Sequence, residues 1–173
     1  MKHTIKAKNF TLRPYRKGDE KSLIKNINDR NIYRYTLRIP YPYGLKEAKK
    51  WLSHSKYAAK KKNKAEINFS IDISGEVVGG IGISNIKKHK AEMGYWLGKK
   101  YWSRGIMTQA VGLVTDFGFK KLKLRRIYAH IFLKNKASAR VLEKNRYKKE
   151  GLMKNYYFKN GKLLDAISYA KTK

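Results

Sequence analysis

The run from Tyr95 to Ala110 constrains this chain more than any other. Tyr95-Trp96-Leu97 reads as the end of a strand, the residues up to Gly105 as a short basic turn, and Ile106 onward as a helix with apolar residues at helical spacing. A glycine turn between a strand and a helix gathers backbone amides at the helix N-terminus, where a phosphate group can sit. Side-chain identity matters little in such a cradle. The donors are main-chain N–H groups, and the helix end adds roughly half a positive charge.

Around this unit, alternation and turn residues predict strands over 11–15, 66–73, 76–84, 92–97, 126–132, 155–158 and 166–170, and helices over 20–27, 44–60, 106–119 and 137–144. Ser74-Gly75 and Asn160-Gly161 mark tight hairpin turns. Residues 31–41, rich in tyrosine and arginine, read as an aromatic, basic loop. Hairpins, then strand–helix–strand–helix, then further strands describe an α/β (α+β) fold, a mixed sheet with helices on both faces. No repeat or linker interrupts the chain, so one domain over residues 1–173 is expected.

Composition narrows the partners. A net charge of +30, from 42 basic and only 12 acidic residues, suits an anionic partner such as RNA, a ribosome or an acidic protein. Part of that charge is solvated lysine, as in Lys60-Lys61-Lys62 at a helix end, but the scarcity of acids is not explained that way. The lack of cysteine excludes disulfides, thiolate metal sites and a cysteine nucleophile. His3, His54, His89 and His130 lack ligand spacing; no metal is expected and none of the four receives a role. Met1-Lys2-His3-Thr4 opens no signal peptide, and the apolar run 77–83 is too short to span a bilayer, so a cytoplasmic location without membrane contact is expected.

Four segments, in order, carry a resemblance: Ile39-Pro40-Tyr41-Pro42-Tyr43 followed by Glu47-Ala48 and Trp51-Leu52; Glu92-Met93-Gly94-Tyr95-Trp96-Leu97; Trp102-Ser103-Arg104-Gly105 with Thr108-Gln109-Ala110; and Asn135 to Ser138 with Val141-Leu142-Glu143-Lys144. Together they resemble the GNAT acetyltransferases, in the branch of ribosomal-protein N-acetyltransferases (RimJ/RimL type). The resemblance implies a mostly antiparallel sheet of about seven strands, splayed beside the strand at 92–97, and transfer of acetyl from acetyl-CoA to an amine. It places the cofactor pyrophosphate on Trp102, Ser103, Arg104, Gly105, Ile106, Met107 and Thr108, and the pantetheine and thioester on the backbone of Tyr95, Trp96 and Leu97. Trp102 and Met107 depart from the family's usual residues, as does Asn145-Arg146-Tyr147 after the last helix.

Amide formation from a thioester requires a neutral amine, a donor for the oxyanion and a proton for the departing sulfur. Glu92, a scarce carboxylate on the strand that ends at the thioester, is the candidate proton acceptor, directly or through water; its bland alternative is a surface pairing with a lysine such as Lys90. Asn135 resembles the family's pantetheine-contacting asparagine and equally suits a helix N-cap. The tyrosine that many family members place seven residues later is Leu142 here, which leaves Ser138 or water to protonate the sulfur. Tyr33, Arg34 and Tyr41 border the acceptor in the resemblance. The expected acceptor is a protein N-terminal α-amine, since a basic surface repels polyamines and aminoglycosides, unless Asp19, Glu20, Asp29 and Glu47 form a local acidic pocket. The alternatives are a small-molecule amine, polyamine or antibiotic, and a basic RNA- or ribosome-binding module with a vestigial cofactor site. Monomer and homodimer both remain open.

Overall fold

The computed structural model describes residues 3–61 and 65–173. Met1, Lys2 and Lys62, which entered the readings of the N-terminus and of the basic run, lie outside the described residues. The elements in order are β1 (Ile5–Lys6), β2 (Thr11–Arg13), α1 (Glu20–Ile27), α2 (Arg30–Arg34), α3 (Leu45–Lys60), β3 (Ile67–Ile73), β4 (Glu76–Lys87), β5 (Lys90–Leu97), a 3₁₀ turn (Lys99–Tyr101), α4 (Ile106–Lys120), β6 (Arg126–Phe132), α5 (Lys136–Lys144), β7 (Lys148–Lys159) and β8 (Lys162–Thr172). They form one eight-stranded sheet in the order β1-β2-β3-β4-β5-β6-β8-β7. Every neighbouring pair is antiparallel except β5 and β6, which α4 connects as a crossover.

Side-chain alternation divides the sheet into two faces. Phe69 and Ile71, Ile81 and Ile83, Ala91 and Met93, and Ile127, Ala129 and Ile131 all pack with Ala110, Val111, Val114 and Phe117 of α4 and Leu142 of α5. The opposite face carries Val77 and Trp96 against Leu23 and Ile27 of α1 and Ala48 and Leu52 of α3. Burying an aliphatic side chain of this size contributes about 1.5–3 kcal/mol, so these two layers fix which way every remaining strand residue points. Glu92, Gly94, Tyr128, His130 and Phe132, which alternate with the α4-facing residues, therefore lie on the α1/α3 side.

The strand and helix pattern follows the sequence closely, although β4 runs three residues past its expected end and β5 starts two residues early, and further differences stand out. A two-residue β1 pairs with β2, making eight strands rather than about seven. Residues 31–41 are not wholly loop: α2 forms because the Asp29 side chain accepts a hydrogen bond from the Asn31 amide at 2.6 Å. β7 and β8 are longer than the alternation indicates, since most of β7 is exposed at a sheet edge and carries polar residues on both faces. β2 ends at Arg13, two residues before the expected limit at Tyr15. No helix among the described residues is long and apolar enough to cross a membrane.

Candidate active site

The turn before α4 has the shape expected of it. Gly105 adopts a left-handed φ of 75° as the helix N-cap, with no side chain capping the helix. The first amide to bond into the helix is that of Gln109, which donates to the Gly105 carbonyl at 3.0 Å. The N–H groups of Ser103, Arg104, Gly105, Ile106, Met107 and Thr108 have no partner among the described residues. A row of uncommitted donors at the positive end of a fifteen-residue helix suits a diphosphate. Ser103, with φ of 59°, makes the second left-handed step of the turn. Trp102 acts here through its side chain: the indole Nε1 donates to the Leu97 carbonyl at 2.7 Å and braces the strand against the turn. The Arg104 guanidinium lies 5.6 Å from the Tyr101 ring centroid.

β5 and β6 pair only over Lys90–Glu92 and Arg126–Tyr128. Beyond Glu92 the strands part, so Tyr95, Trp96 and Leu97 keep β4 as their only strand neighbour among the described residues and leave the β6 side of their backbone open. This is the splay that the resemblance implies. On its α4 side, the Tyr95 hydroxyl lies 2.7 Å from Ser138 Oγ. Burial pushes the Tyr95 phenol well above its ordinary pKa, against a smaller lowering by Ser138, so it holds its proton. Asn135 caps α5, its Oδ1 accepting from the Ser138 amide at 3.1 Å, and this fixes the Ser138 backbone beneath Tyr95. A phenol thus reaches this position from β5, although Leu142 occupies the expected tyrosine position.

On the other face the floor opens. An added Cβ at Gly94 would meet nothing within 4 Å, although Gly94 sits in the middle of the sheet opposite Gly82. Asn68, opposite Gly82 in the same cross-strand row, has its side-chain nitrogen buried with no hydrogen-bond partner among the described residues. Glu92 lies next along β5 and accepts from Asn85 Nδ2 at 2.7 Å rather than from Lys90. Beside it, Arg38, His54, Tyr57, Glu66, Ser84 and Asn85 line a groove of about 340 Å³. Across the splay, His130 lies between two tyrosines, its ring centroid 5.1 Å from that of Tyr128 and 5.1 Å from that of Tyr156.

Tyr33 and Tyr41 come together, with ring centroids 6.0 Å apart, and Tyr33 ties to the β7–β8 turn by donating to Asn160 Oδ1 at 2.7 Å. Lys159 lies 3.8 Å from the Tyr33 ring centroid and donates to the carbonyls of Tyr33 and Thr36, clamping this hairpin onto α2. Arg34 instead turns outward over Tyr35. The four carboxylates considered for a local acidic pocket do not make one. Asp19 is buried against Arg13, Asp29 caps α2, and Glu20 and Glu47 accept from the amides of Gly18 and Gly44. Among the described residues no group of three or more His, Asp or Glu side chains is arranged to hold a metal ion. Sequence reasoning passed over His130, Tyr128, Tyr156 and Tyr157; only their cross-strand placement brings them to the splay.

A parallel strand pair that parts beside a glycine-capped helix is the architecture of an acyl-CoA-binding transferase. Residues 9–148 match the acetyltransferase (GNAT) domain family, and the chain belongs to that family. It is an acetyl-CoA-dependent N-acetyltransferase. A probable N-acetyltransferase, YjcK, of Bacillus subtilis (strain 168) is 30% identical over 148 residues, covering 81% of each chain. The spermidine N(1)-acetyltransferase of Escherichia coli (strain K12) is 26% identical over 140 residues, covering 80% of this chain and 72% of its own. The structure of RimL, a ribosomal L7/L12 alpha-N-protein acetyltransferase in complex with coenzyme A, superposes with a TM-score of 0.88 at 22% identity, covering 98% of each chain.

Proposed function

We propose that this chain, acting as one domain over residues 1–173, transfers the acetyl group of acetyl-CoA to the α-amine at a protein or peptide N-terminus by direct attack. The observation that carries the reading is the uncovered sheet face over Gly94, an opening on the side of the splay away from the α4 cradle. Asn68, opposite Gly82 in the cross-strand row that holds Gly94, carries a buried side-chain amide with no hydrogen-bond partner among the described residues. An amide donor without a partner suits a main-chain carbonyl of an extended acceptor, which a polyamine lacks. The +30 charge also disfavours free polyamines and favours acidic or RNA-embedded proteins. The likeness to the fold of RimL, which acetylates a protein α-amine, accords with this.

The thioester of acetyl-CoA supplies an acetyl group already activated for transfer. The amides from Ser103 to Thr108 bind the diphosphate, and the open backbone of Tyr95, Trp96 and Leu97 orients the pantetheine arm. The Nδ2 of Asn135, without a partner among the described residues because only Oδ1 is spent on the cap, binds the same arm. Ser138 Oγ, hydrogen-bonded to the Tyr95 hydroxyl, gives a proton towards the sulfur, and the pair recovers that proton from water as CoA leaves. The Glu92 carboxylate attracts the acceptor ammonium to the opening, and Tyr33 and Tyr41, with Arg34 nearby, contact the peptide that follows it. The test is a comparison of CoA release with N-terminal peptides, spermidine and an aminoglycoside. Peptide amines are expected to give the highest kcat/KM. A preference for spermidine would overturn the acceptor assignment.

A further inference from the structure

We propose that His130 is the group that takes the proton from the acceptor ammonium, with Tyr156 positioning its ring and Glu92 holding the resulting imidazolium in place. The inference rests on the acyl-transfer reading above and deepens it.

Three observations converge on His130. It lies on β6 two residues beyond the last residue paired with β5, so it stands at the mouth of the splay. It faces away from α4, on the same side as Gly94 and Glu92, where the free space over Gly94 admits the amine. Its Nδ1 lies 3.1 Å from the Tyr156 hydroxyl. With Nδ1–H donating to that oxygen, Nε2 keeps its lone pair for a proton.

Tyr156 reaches His130 because β7 departs from regular pairing there. Met153 opposes Ala166 and Tyr157 opposes Leu164, so residues 154–156 face Asp165 alone. Asp165 Oδ1 accepts from the Asn155 amide at 2.9 Å, and Asn155 takes a left-handed φ of 52°. Such irregularities re-aim a side chain. Here the re-aimed side chain is the phenol that holds the histidine. Tyr157 packs edge-on against Tyr156 and Phe132 and closes the back of the cluster.

The charges around the ring are Glu92 on β5, Arg126 on β6 and Glu150 on β7, with Tyr128, Tyr156 and Tyr157 beside them and Arg38 acting on Tyr157. Arg126 and Glu150 pair with each other, Nη1 to Oε1 at 2.6 Å, which leaves Glu92 as the unneutralised charge. Desolvation holds the His130 pKa below its ordinary 6.5, with Glu92 opposing that shift and Arg126 adding to it. The ring is therefore neutral at pH 7 and able to accept a proton, and that ability is lost as pH falls through the lowered value.

The ammonium proton moves to Nε2, and the freed nitrogen lone pair forms the C–N bond at the acetyl carbon. The C–S bond then breaks, its electron pair stays on sulfur, and sulfur takes its proton from Ser138, which regains one from water. The new amide nitrogen loses its remaining surplus proton to water, as the imidazolium does afterwards.

The test joins histidine titration by NMR with kinetics of His130→Gln, His130→Ala and Glu92→Gln, on whichever amine of the peptide and spermidine panel the wild type acetylates fastest. In the wild type, the His130 ring is expected to titrate below about 6.5, and Glu92→Gln to lower that midpoint further. His130→Gln is expected to cut kcat about a hundredfold and flatten the acid limb of its pH profile, while CoA affinity stays within twofold. Imidazole is expected to restore His130→Ala at least tenfold. Should His130→Gln lose CoA affinity through misfolding, rescue of His130→Ala decides. A midpoint at or above 6.5, a kcat within threefold of wild type, or an unrescued and unchanged acid limb overturns the proposal. A wild type that acetylates spermidine but no peptide overturns the acceptor assignment alone, because the variant-to-wild-type ratio on spermidine still decides His130.

Discussion

Replacing Gly94 should strengthen the fold and damage the reaction at once. Gly94 takes no left-handed φ, and an added Cβ meets nothing within 4 Å, so alanine and larger residues fit the backbone without strain. Glycine inside a strand costs about 0.5–1 kcal/mol relative to alanine, which for a chain of this length is a rise of about 1–4 °C in Tm for Gly94→Ala. The same methyl group intrudes on the space over the sheet where the acceptor amine would approach the splay. Gly94→Leu fills it, and the expected loss in acceptor kcat/KM is about a hundredfold, equivalent to about 2.7 kcal/mol. Acetyl-CoA affinity should be untouched, because the cradle at Gly105 opens on the other side of the sheet. The assay is a thermal melt, calorimetric titration with CoA, and steady-state kinetics in the acceptor. A Gly94→Leu enzyme that keeps its acceptor kcat/KM, or loses CoA affinity in the same proportion, would refute the two-sided arrangement.

Tyr95→Phe leaves the buried Ser138 hydroxyl without its 2.7 Å partner, and kcat is expected to fall about ten- to a hundredfold with acetyl-CoA affinity little changed; an unaltered kcat would remove the pair from sulfur protonation. Asn135→Ala removes the α5 cap, costing about 1 kcal/mol in a denaturant melt, and weakens CoA binding by calorimetry if Nδ2 holds the pantetheine arm. Stability lost with affinity intact would leave Asn135 as a cap alone.

The cradle was legible because its signal is local: Gly105 and the apolar spacing of Ile106, Ala110, Val111 and Val114 lie within a few residues of one another. β6 was legible for the same reason, with its limits at Arg126 and Phe132 as read from the alternation. α2 was obscured by tyrosines and arginines that suggest a loop, although Asp29 is an N-cap signal that could have found it. The site itself was only half legible. Glu92, Ser138 and Asn135 could be singled out by type and position, but no spacing links Tyr95 to Ser138, 43 residues away, or His130 to Tyr156, 26 residues away. Those contacts exist because β5 parts from β6 and because β7 is irregular at Asn155, and neither event has a one-residue signature. His130 looked inert for want of a second ligand nearby, which is a test for metal binding and not for proton transfer.

The central claim is that the open amides before α4 hold the diphosphate of the coenzyme beside the splayed strand. Titrating CoA into isotopically labelled protein while following backbone amide resonances tests it most directly. The account expects the largest shifts at Ser103 through Thr108, with smaller ones at Tyr95, Trp96 and Leu97. Saturable CoA binding that leaves the amides from Ser103 to Thr108 unmoved would contradict it.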